Sequence, residues 1–370
     1  MATFVLVHGT YAKSADWPAL QSALTDVAKL NGQDVRIEKI PWTGKNRAGA
    51  RQWAAVDLFR LLLDIRFKNP NEKIFLIGHS HGGSAIVYFL KRYPNMPLAG
   101  CAFLSTPFVA IRERSRALVY WFYFFPVIAF MLLSQAGYWS KAPVVLPDIS
   151  LIYVAFVLLV ILGILARAII PLFLPLHALF GTKDIFRLQT ADIPNGNYLF
   201  LRCSGDEAAA ALSAAQFIAW LGTKVSGIVT WLMLPILIIT ITCTAIFFAF
   251  GVRSTMPDAP YLRVVVFALF FCVGVAVPFL FFLCLVTASL IVVGQALTSR
   301  AFGWTDFFTG LFVELAIEPL PFGTHSLTHI DWNEGASGIE GIMHSRTYAH
   351  PAAVRRLQEW VNSTLKLQVD

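Results

Sequence analysis

Residues 73–83 read Lys-Ile-Phe-Leu-Ile-Gly-His-Ser-His-Gly-Gly, and this stretch decides the fold. Its apolar run, Ile74–Ile77, is short and rich in β-branched and aromatic side chains, which is typical of a strand buried on both faces. Residues 84–92 have the composition of a helix and end shortly before Pro94. The stretch therefore predicts a strand, a sharp turn at Ser80 and a helix.

The turn has the pattern G-x-S-x-G, with one glycine two positions before Ser80 and another two positions after it. Side chains at Gly78 and Gly82 would collide with a neighbouring strand and helix, so the turn needs glycine at both positions. A serine placed there faces the positive end of the following helix. A Gly/Ser-rich loop after an ordinary strand is the alternative, but the strand before and the helix after favour a nucleophile elbow.

The composition indicates a membrane protein. Of the 370 residues, 57% are hydrophobic and only 14% are charged, against about 25% charged in a typical soluble domain. The net charge of +7 suits an anionic membrane surface more simply than nucleic acid, because long apolar stretches accompany it. The five cysteines form no C-x-x-C pair, so we expect neither a disulfide framework nor a zinc site. No cofactor is expected.

Outside the apolar stretches, strands alternate with helices. Predicted strands cover residues 3–7, 35–42, 98–108, 197–201, 312–317 and 326–332, and predicted helices cover 17–30, 47–67 and 351–367. The helix over 47–67 is expected to keep its basic residues on a polar face, and 334–342 is expected to be a glycine-rich loop. Alternation at this spacing predicts βαβ units and a mostly parallel sheet, which places the chain in the α/β class.

Four long runs contain no charged residue: 117–134, 149–166, 225–252 and 264–299. The second pair is long enough to cross a membrane, and the first pair is close to the minimum of about 18 residues. We therefore expect two transmembrane hairpins, with a hydrophobic lid lying flat on the membrane as the alternative for the first. Residues 167–180 could form an interfacial segment at the mouth of the site.

The distribution of basic residues predicts the orientation. Those at the domain-side ends of the runs are Arg112, Arg114, Arg116, Lys183, Arg187, Lys224 and Arg300, and those at the far ends are Lys141, Arg253 and Arg263. The excess at the domain side predicts a multi-pass protein whose catalytic domain faces the cytoplasm. The expected division is a first core segment (1–111), a first insertion (112–190), a second core segment (191–221), a second insertion (222–305) and a third core segment (306–370).

The strand–turn–helix order, followed by an acidic residue and then a histidine, resembles the α/β-hydrolase fold in its esterase and lipase branch. The resemblance covers residues 1–110, about 192–221 and about 306–370. It implies a catalytic triad in the chain order serine, acid, histidine. Ser80 is the implied nucleophile.

The acid is expected directly after a late strand, where Gly205-Asp206-Glu207 follows the strand at 197–201. Asp206 fits this place, with a plain helix N-cap as its alternative role and Glu207 as the neighbouring alternative acid. The base is expected in the loop before the last helix, which contains His344. Further histidines at 325, 329 and 350 remain open, of which His325 and His350 are the main alternatives.

The resemblance also implies two backbone N–H groups that would bind the developing oxyanion. One comes from His81, directly after the serine, and the other from Thr10 in the loop after the first strand, with Tyr11 as the alternative. His8 is expected to order that loop, and His79 is expected to point away from the serine, as is His81. Neither of these last two has a partner at metal-ligand spacing, so no metal site is expected.

Together these observations predict a membrane-integrated serine ester hydrolase acting on lipid or acyl-chain esters. An acyl-thioesterase or an acyltransferase would use the same residues, and a non-catalytic hydrolase-like membrane scaffold is the alternative from another class. The sequence leaves open the substrate's acyl-chain length and the oligomeric state.

Overall fold

A six-stranded sheet, in which all neighbouring strands are parallel, forms the centre of the computed structural model. Its strands lie in the order β2-β1-β3-β4-β6-β8, and a separate antiparallel pair consists of β5 and β7. The strands are β1 (Ala2–Val7), β2 (Val35–Lys39), β3 (Lys73–His79), β4 (Gly100–Leu104), β5 (Phe108–Glu113), β6 (Tyr198–Cys203), β7 (Val313–Glu318) and β8 (Leu327–Ile330). The helices are α1 (Pro18–Leu30), α2 (Ala48–Lys68), α3 (His81–Arg92), a 3₁₀ turn (Thr347–Ala349) and the C-terminal helix (Pro351–Leu367).

The structure describes residues 1–10, 12, 17–113, 189–204, 206–208, 210–225, 228, 282–283, 286–287, 289–294, 296–298, 313–331, 344 and 347–367. Besides the named elements, the described residues of 207–228 and of 282–298 are helical.

The sheet is covered on both faces. The helix α3 packs on β3 and β4, and α2 packs on α3, so that Leu58 and Phe89 are fully buried in one shared core. On the other face, α1 packs beside the C-terminal helix, with Leu24 and Leu357 in a second core. Burying one such side chain contributes about 1.5–3 kcal/mol. Because both faces are buried, the central strands consist of continuous apolar runs, as the sequence around Ile74–Ile77 predicts.

The predicted strand over 98–108 is corrected to two separate strands. Strand β4 ends at Leu104, and Ser105 then takes a left-handed backbone conformation, with φ of 46°. This turn leads the chain out of the parallel sheet, so that β5 pairs with β7 instead. Ser105-Thr106-Pro107 separates the two apolar stretches, and a proline at this position is a sequence signal for the break that the predicted single strand overlooked.

The helix α2 also differs from its prediction, since one of its basic residues is not on a polar face. Arg51 is only 2% exposed, and its guanidinium donates a hydrogen bond to Asn46 Oδ1 at 3.2 Å. Burial lowers the pKa of Arg51, because the charged form loses hydration. Asn46 and Arg51 therefore join the loop before α2 to the body of the helix.

Most of the four uncharged runs lies outside the described residues, as do the loop over 334–342 and the segment 167–180. The first two runs are not described at all, and the third is described only at 225 and 228. Within the part of the chain that the structure does describe, no helix is long and apolar enough to cross a membrane. The hairpins and the lid therefore stay predictions.

Candidate active site

Ser80 lies at the carboxyl edge of the sheet, between the end of β3 and the first residue of α3. Its backbone takes φ of 52° and ψ of −129°, a left-handed conformation that costs a non-glycine residue about 1–3 kcal/mol. Its N–H donates to the carbonyl of Leu104 at 2.9 Å, and its carbonyl accepts from Gly83 N–H at 3.0 Å. The neighbouring strand and helix thus hold the serine in this strained turn.

The two glycines of the elbow lie where backbones approach each other closely. A Cβ at Gly78 would lie 2.7 Å from both Cα and N of Gly83, and a Cβ at Gly82 would overlap the carbonyl oxygen of Val7. The start of α3 therefore packs directly on the end of β1. A Cβ at Gly83 would overlap the Thr106 hydroxyl, a third close approach that the sequence analysis missed.

The structure brings Ser80, His344 and Asp206 together at hydrogen-bond distance. The Ser80 hydroxyl lies 2.8 Å from His344 Nε2. On the other side of the ring, His344 Nδ1 lies 2.9 Å from Asp206 Oδ2 and 3.0 Å from Oδ1. When Nδ1 carries the proton, it donates to the carboxylate, and Nε2 is left to accept the proton of the serine.

Burial and secondary structure fix the position of the acid. Asp206 is buried, and it directly precedes a helical segment in which Ala210 N–H donates to its carbonyl at 3.0 Å. Its carboxylate contacts the His344 ring, which a residue serving only as a helix N-cap would not do. Glu207, the alternative acid, lies at the surface, and its carboxylate accepts a hydrogen bond from the backbone N–H of His344 at 3.3 Å.

The alternative histidines lie elsewhere. His325 packs against the aromatic ring of Phe200, with 5.3 Å between the ring centroids. His350 is fully buried just before the C-terminal helix, and its backbone N–H donates to the carbonyl of Thr347 at 3.3 Å. His329 is exposed on the edge strand β8. Of these histidines and His344, the structure gives only His344 a hydrogen bond to Ser80.

The loop after β1 lies directly beside the serine. A Cβ at Gly9 would lie 3.0 Å from Ser80 Cβ, so Thr10 follows the point of closest approach. His8 orders this loop as expected: its Nδ1 lies 2.9 Å from the carbonyl oxygen of Gly9, and its ring stacks on Trp42 at 5.1 Å. His81 is the first residue of α3. Thr10 and His81 thus belong to the two segments beside Ser80, the loop after β1 and the start of α3.

One neighbour of the serine has a contact that the sequence analysis missed. His79 is 3% exposed, and its Nε2 lies 2.7 Å from the backbone carbonyl oxygen of His344. Burial is the main reason that the pKa of His79 falls to about 3, and nearby His344 lowers it further. The ring is therefore neutral at ordinary pH, and its Nε2–H donates to that carbonyl.

Two further residues, Ser105 and Thr347, support the segment that follows His344, and the sequence did not predict this role. Ser105 Oγ and Thr347 Oγ1 form a buried hydrogen bond at 2.9 Å, which joins the turn after β4 to the 3₁₀ turn. No signal in the sequence pointed to this pair, because the two residues are 242 positions apart. Within the described residues, no group of three or more His, Cys, Asp or Glu side chains could hold a metal ion.

A family model described as the alpha/beta hydrolase fold matches residues 2–130 of the chain. No curated protein matches the chain in sequence. The family match, together with the parallel sheet and the elbow at Ser80, gives the chain an α/β-hydrolase fold.

Several solved structures show weak likenesses. A cutinase-like protein from Cryptococcus sp. is 18% identical over 29% of this chain and 53% of its own, with a TM-score of 0.24. An acetylxylan esterase is 14% identical over 29% of this chain and 63% of its own, with a TM-score of 0.23. An extracellular α/β-hydrolase from a Paenibacillus species is 22% identical over 32% of this chain and 46% of its own, with a TM-score of 0.22. The chain thus spans about half the length of these structures, and at such TM-scores they do not bear on its activity.

Proposed function

We propose that the chain is a membrane-integrated serine ester hydrolase that cleaves carboxyl esters of lipid or acyl-chain substrates. One observation carries the proposal: the unbroken series of hydrogen bonds from Ser80 through His344 to Asp206. A serine hydroxyl becomes a strong nucleophile only when a base takes its proton, and this arrangement supplies the base together with its orienting carboxylate.

In the proposed reaction, His344 Nε2 takes the proton of Ser80 while Oγ attacks the ester carbonyl carbon. The tetrahedral intermediate collapses as His344 returns the proton to the departing alkoxide, which leaves an acyl group on Ser80. Water, deprotonated by the same imidazole, then releases the carboxylic acid and restores the serine. Asp206 orients the ring and stabilises the imidazolium that forms in both steps.

The developing negative charge on the carbonyl oxygen would be bound by the backbone N–H groups of Thr10 and His81. The close packing of Gly9 against Ser80 and the position of His81 at the start of α3 support this role. A helix N-terminus adds a favourable field for an anion. Removing one donor from such a site costs about 10²–10³-fold in turnover.

Ester hydrolysis is tested with short-chain nitrophenyl esters and the full-length protein. The wild type is expected to hydrolyse them, and Ser80→Ala is expected to reduce turnover on the order of a million-fold while protein yield in membranes is unchanged. His344→Ala is expected to be inactive and His325→Ala to keep substantial activity. An active Ser80→Ala protein, or an active His344→Ala beside an inactive His325→Ala, would contradict the proposal.

The same three residues would serve a thioesterase or an acyltransferase. These alternatives separate when acyl thioesters, and esters supplied with an alcohol acceptor, replace the simple ester. Faster release from thioesters favours a thioesterase, and an acylated acceptor in place of free acid favours a transferase. A non-catalytic scaffold would show none of these reactions.

The membrane part of the proposal is supported by how the second insertion leaves the domain. The helical segment 210–225 and the described residues 289–294 pack side by side: a Cβ at Gly222 would lie 2.7 Å from Ile291 Cγ1. The first of these segments leads into the third uncharged run, and the second lies near the end of the fourth. A transmembrane hairpin made of these two runs requires that its first and last residues lie close together.

Exposed aromatic side chains lie on the same segment. Phe217 and Trp220 are 59% and 47% exposed, and their rings stack at 5.7 Å. Lys224 Nζ lies 5.9 Å from the centroid of the Trp220 ring. Tryptophan and lysine are typical anchors at a membrane–water interface, so this segment suits the point where the chain would enter the bilayer.

Topology is tested with single cysteines at Ser140 and Thr255 in a cysteine-free background. Labelling of both by an impermeant reagent from the non-cytoplasmic side supports four crossings and a cytoplasmic catalytic domain. Labelling at Thr255 alone makes the first insertion a lid. A cysteine at Ser363, exposed on the C-terminal helix, is the control that must stay unlabelled from that side. If Thr255 also stays unlabelled, the second hairpin does not cross.

A further inference from the structure

The residues beside the serine and the acid contact the backbone of His344. His79, next to Ser80, approaches the His344 carbonyl oxygen at 2.7 Å. Glu207, next to Asp206, accepts from the His344 N–H at 3.3 Å. The carbonyl and the N–H of His344 are therefore each hydrogen-bonded by a side chain next in sequence to another member of the triad. His79 directly precedes Ser80, and Glu207 directly follows Asp206.

From this geometry we infer that His79 is a positioning residue for the base: its neutral ring donates Nε2–H to the His344 carbonyl and fixes the imidazole between Ser80 and Asp206. The inference rests on the proposed function. It assigns His79 no proton transfer and no contact with the substrate. Glu207 contributes a second, weaker contact, because it is exposed and water can replace it.

The environment of His79 determines which ring nitrogen carries its proton. Nε2 faces a carbonyl oxygen, which only accepts, so Nε2 must be the donor. Nδ1 is buried without a hydrogen-bond partner among the described residues, and it lies against the loop after β1, where a Cβ at Gly9 would be 3.2 Å away. Tyr348 closes another side of the ring, with its own ring 5.1 Å away in an edge contact.

A neutral donor suits this position because of the charge that forms during catalysis. The rings of His79 and His344 have centroids only 5.4 Å apart. A charged His79 would therefore repel the imidazolium that His344 becomes in the transition state. The neutral ring of His79, which is 3% exposed, donates to the carbonyl without that repulsion.

The accuracy of the contact matters because His344 must reach two partners at once. Its Nε2 lies 2.8 Å from Ser80, and its Nδ1 lies 2.9 Å from Asp206. A displacement of about 1 Å at a reacting group can cost about 100-fold in rate. Loss of the His79 donor leaves the part-buried His344 carbonyl with only the longer hydrogen bond from the Thr347 hydroxyl, at 3.5 Å, which favours such a displacement.

The test compares His79→Leu, which removes the donor, with His79→Gln, whose amide nitrogen can reach the place of Nε2. With nitrophenyl butyrate as substrate, His79→Leu is expected to lower kcat by about 100-fold with KM within about threefold of the wild type. His79→Gln is expected to recover at least tenfold of that loss. Leu58→Ala, a fully buried residue of α2, is the control for loss of stability alone, and its kcat should stay near the wild-type value.

Four outcomes would overturn the inference: an unchanged kcat in His79→Leu, no recovery in His79→Gln, a loss seen mainly in KM, or an equal loss in Leu58→Ala. An inactive wild type would instead refute the proposed function. Nitrogen NMR of ¹⁵N-histidine-labelled wild type then still tests the geometry, with His79→Gln identifying the signal. The inference requires a neutral, Nε2-protonated ring at pH 6, and a charged or Nδ1-protonated ring would contradict it.

Discussion

The buried ring of His79 predicts a specific loss of stability in acid. In the unfolded chain its pKa is near the ordinary value of 6.5, whereas burial holds it at about 3 in the folded protein. Between these values the unfolded chain binds a proton that the folded protein does not. The stabilisation that comes from keeping His79 neutral is therefore complete above about pH 6.5. It is lost progressively as the pH falls toward about 3.

The size of this loss of stability follows from the difference between the pKa of His79 in the unfolded chain and in the folded protein. Each pKa unit corresponds to about 1.4 kcal/mol, so the wild type should lose about 2 kcal/mol from this group between pH 7 and pH 5. For a domain of about 150–250 residues, a loss of about 2 kcal/mol in the free energy of unfolding corresponds to a fall in Tm of about 4–8 °C. His79→Gln has no titratable ring at this position, so the same change of pH should lower its Tm by correspondingly less.

The measurement is thermal unfolding of the full-length protein in detergent, followed by tryptophan fluorescence at pH 7 and pH 5. Other titrating groups are shared by the wild type and the variant, so the difference between their pH dependences isolates His79. The control is His329→Gln, which removes an exposed imidazole on β8. An identical fall in Tm for the wild type and His79→Gln would refute the neutral, buried ring.

Two further predictions concern the elbow and the acid. Gly82→Ala would push a Cβ into the carbonyl of Val7, and overpacking of this kind costs about 1–3 kcal/mol, so both Tm and activity should fall. Gly49→Ala, in α2 with no atom within 4 Å of the added Cβ, is the matched control and should not be destabilising. Asp206→Asn should lower kcat by about 10⁴-fold, whereas Glu207→Gln should change it only a few-fold, because Glu207 contacts the backbone of His344 and not its ring. The reverse order would make Glu207 the acid.

The elbow was predictable because its signal is local. The strand before Ser80, the glycines around it and the helix after it all lie within a stretch of about twenty residues, and each has a direct steric reason. The candidate acid could also be placed, since an Asp that directly follows a strand reaches the carboxyl edge of a parallel sheet. In both cases, the position of the residue at the end of a strand in the sequence is enough to place it at the carboxyl edge of the sheet.

The remaining features depend on contacts between distant parts of the chain. Pro107 marks the break after β4 in the sequence, but the pairing of β5 with the distant strand β7 is not visible there. The donor role of His79 depends on a carbonyl 265 positions away and on burial by several elements. Arg51 in α2 is buried although its residue type predicts exposure. Side-chain type and periodicity do not contain this information.

The role of Ser80 as the nucleophile is tested by mapping a covalent adduct. The full-length protein in native membranes is treated with a fluorophosphonate, digested and analysed by mass spectrometry. We expect one phosphonylated site, on Ser80, that is absent in Ser80→Ala and strongly reduced in His344→Ala. An adduct on a different residue, or labelling of Ser80→Ala equal to that of the wild type, would contradict it.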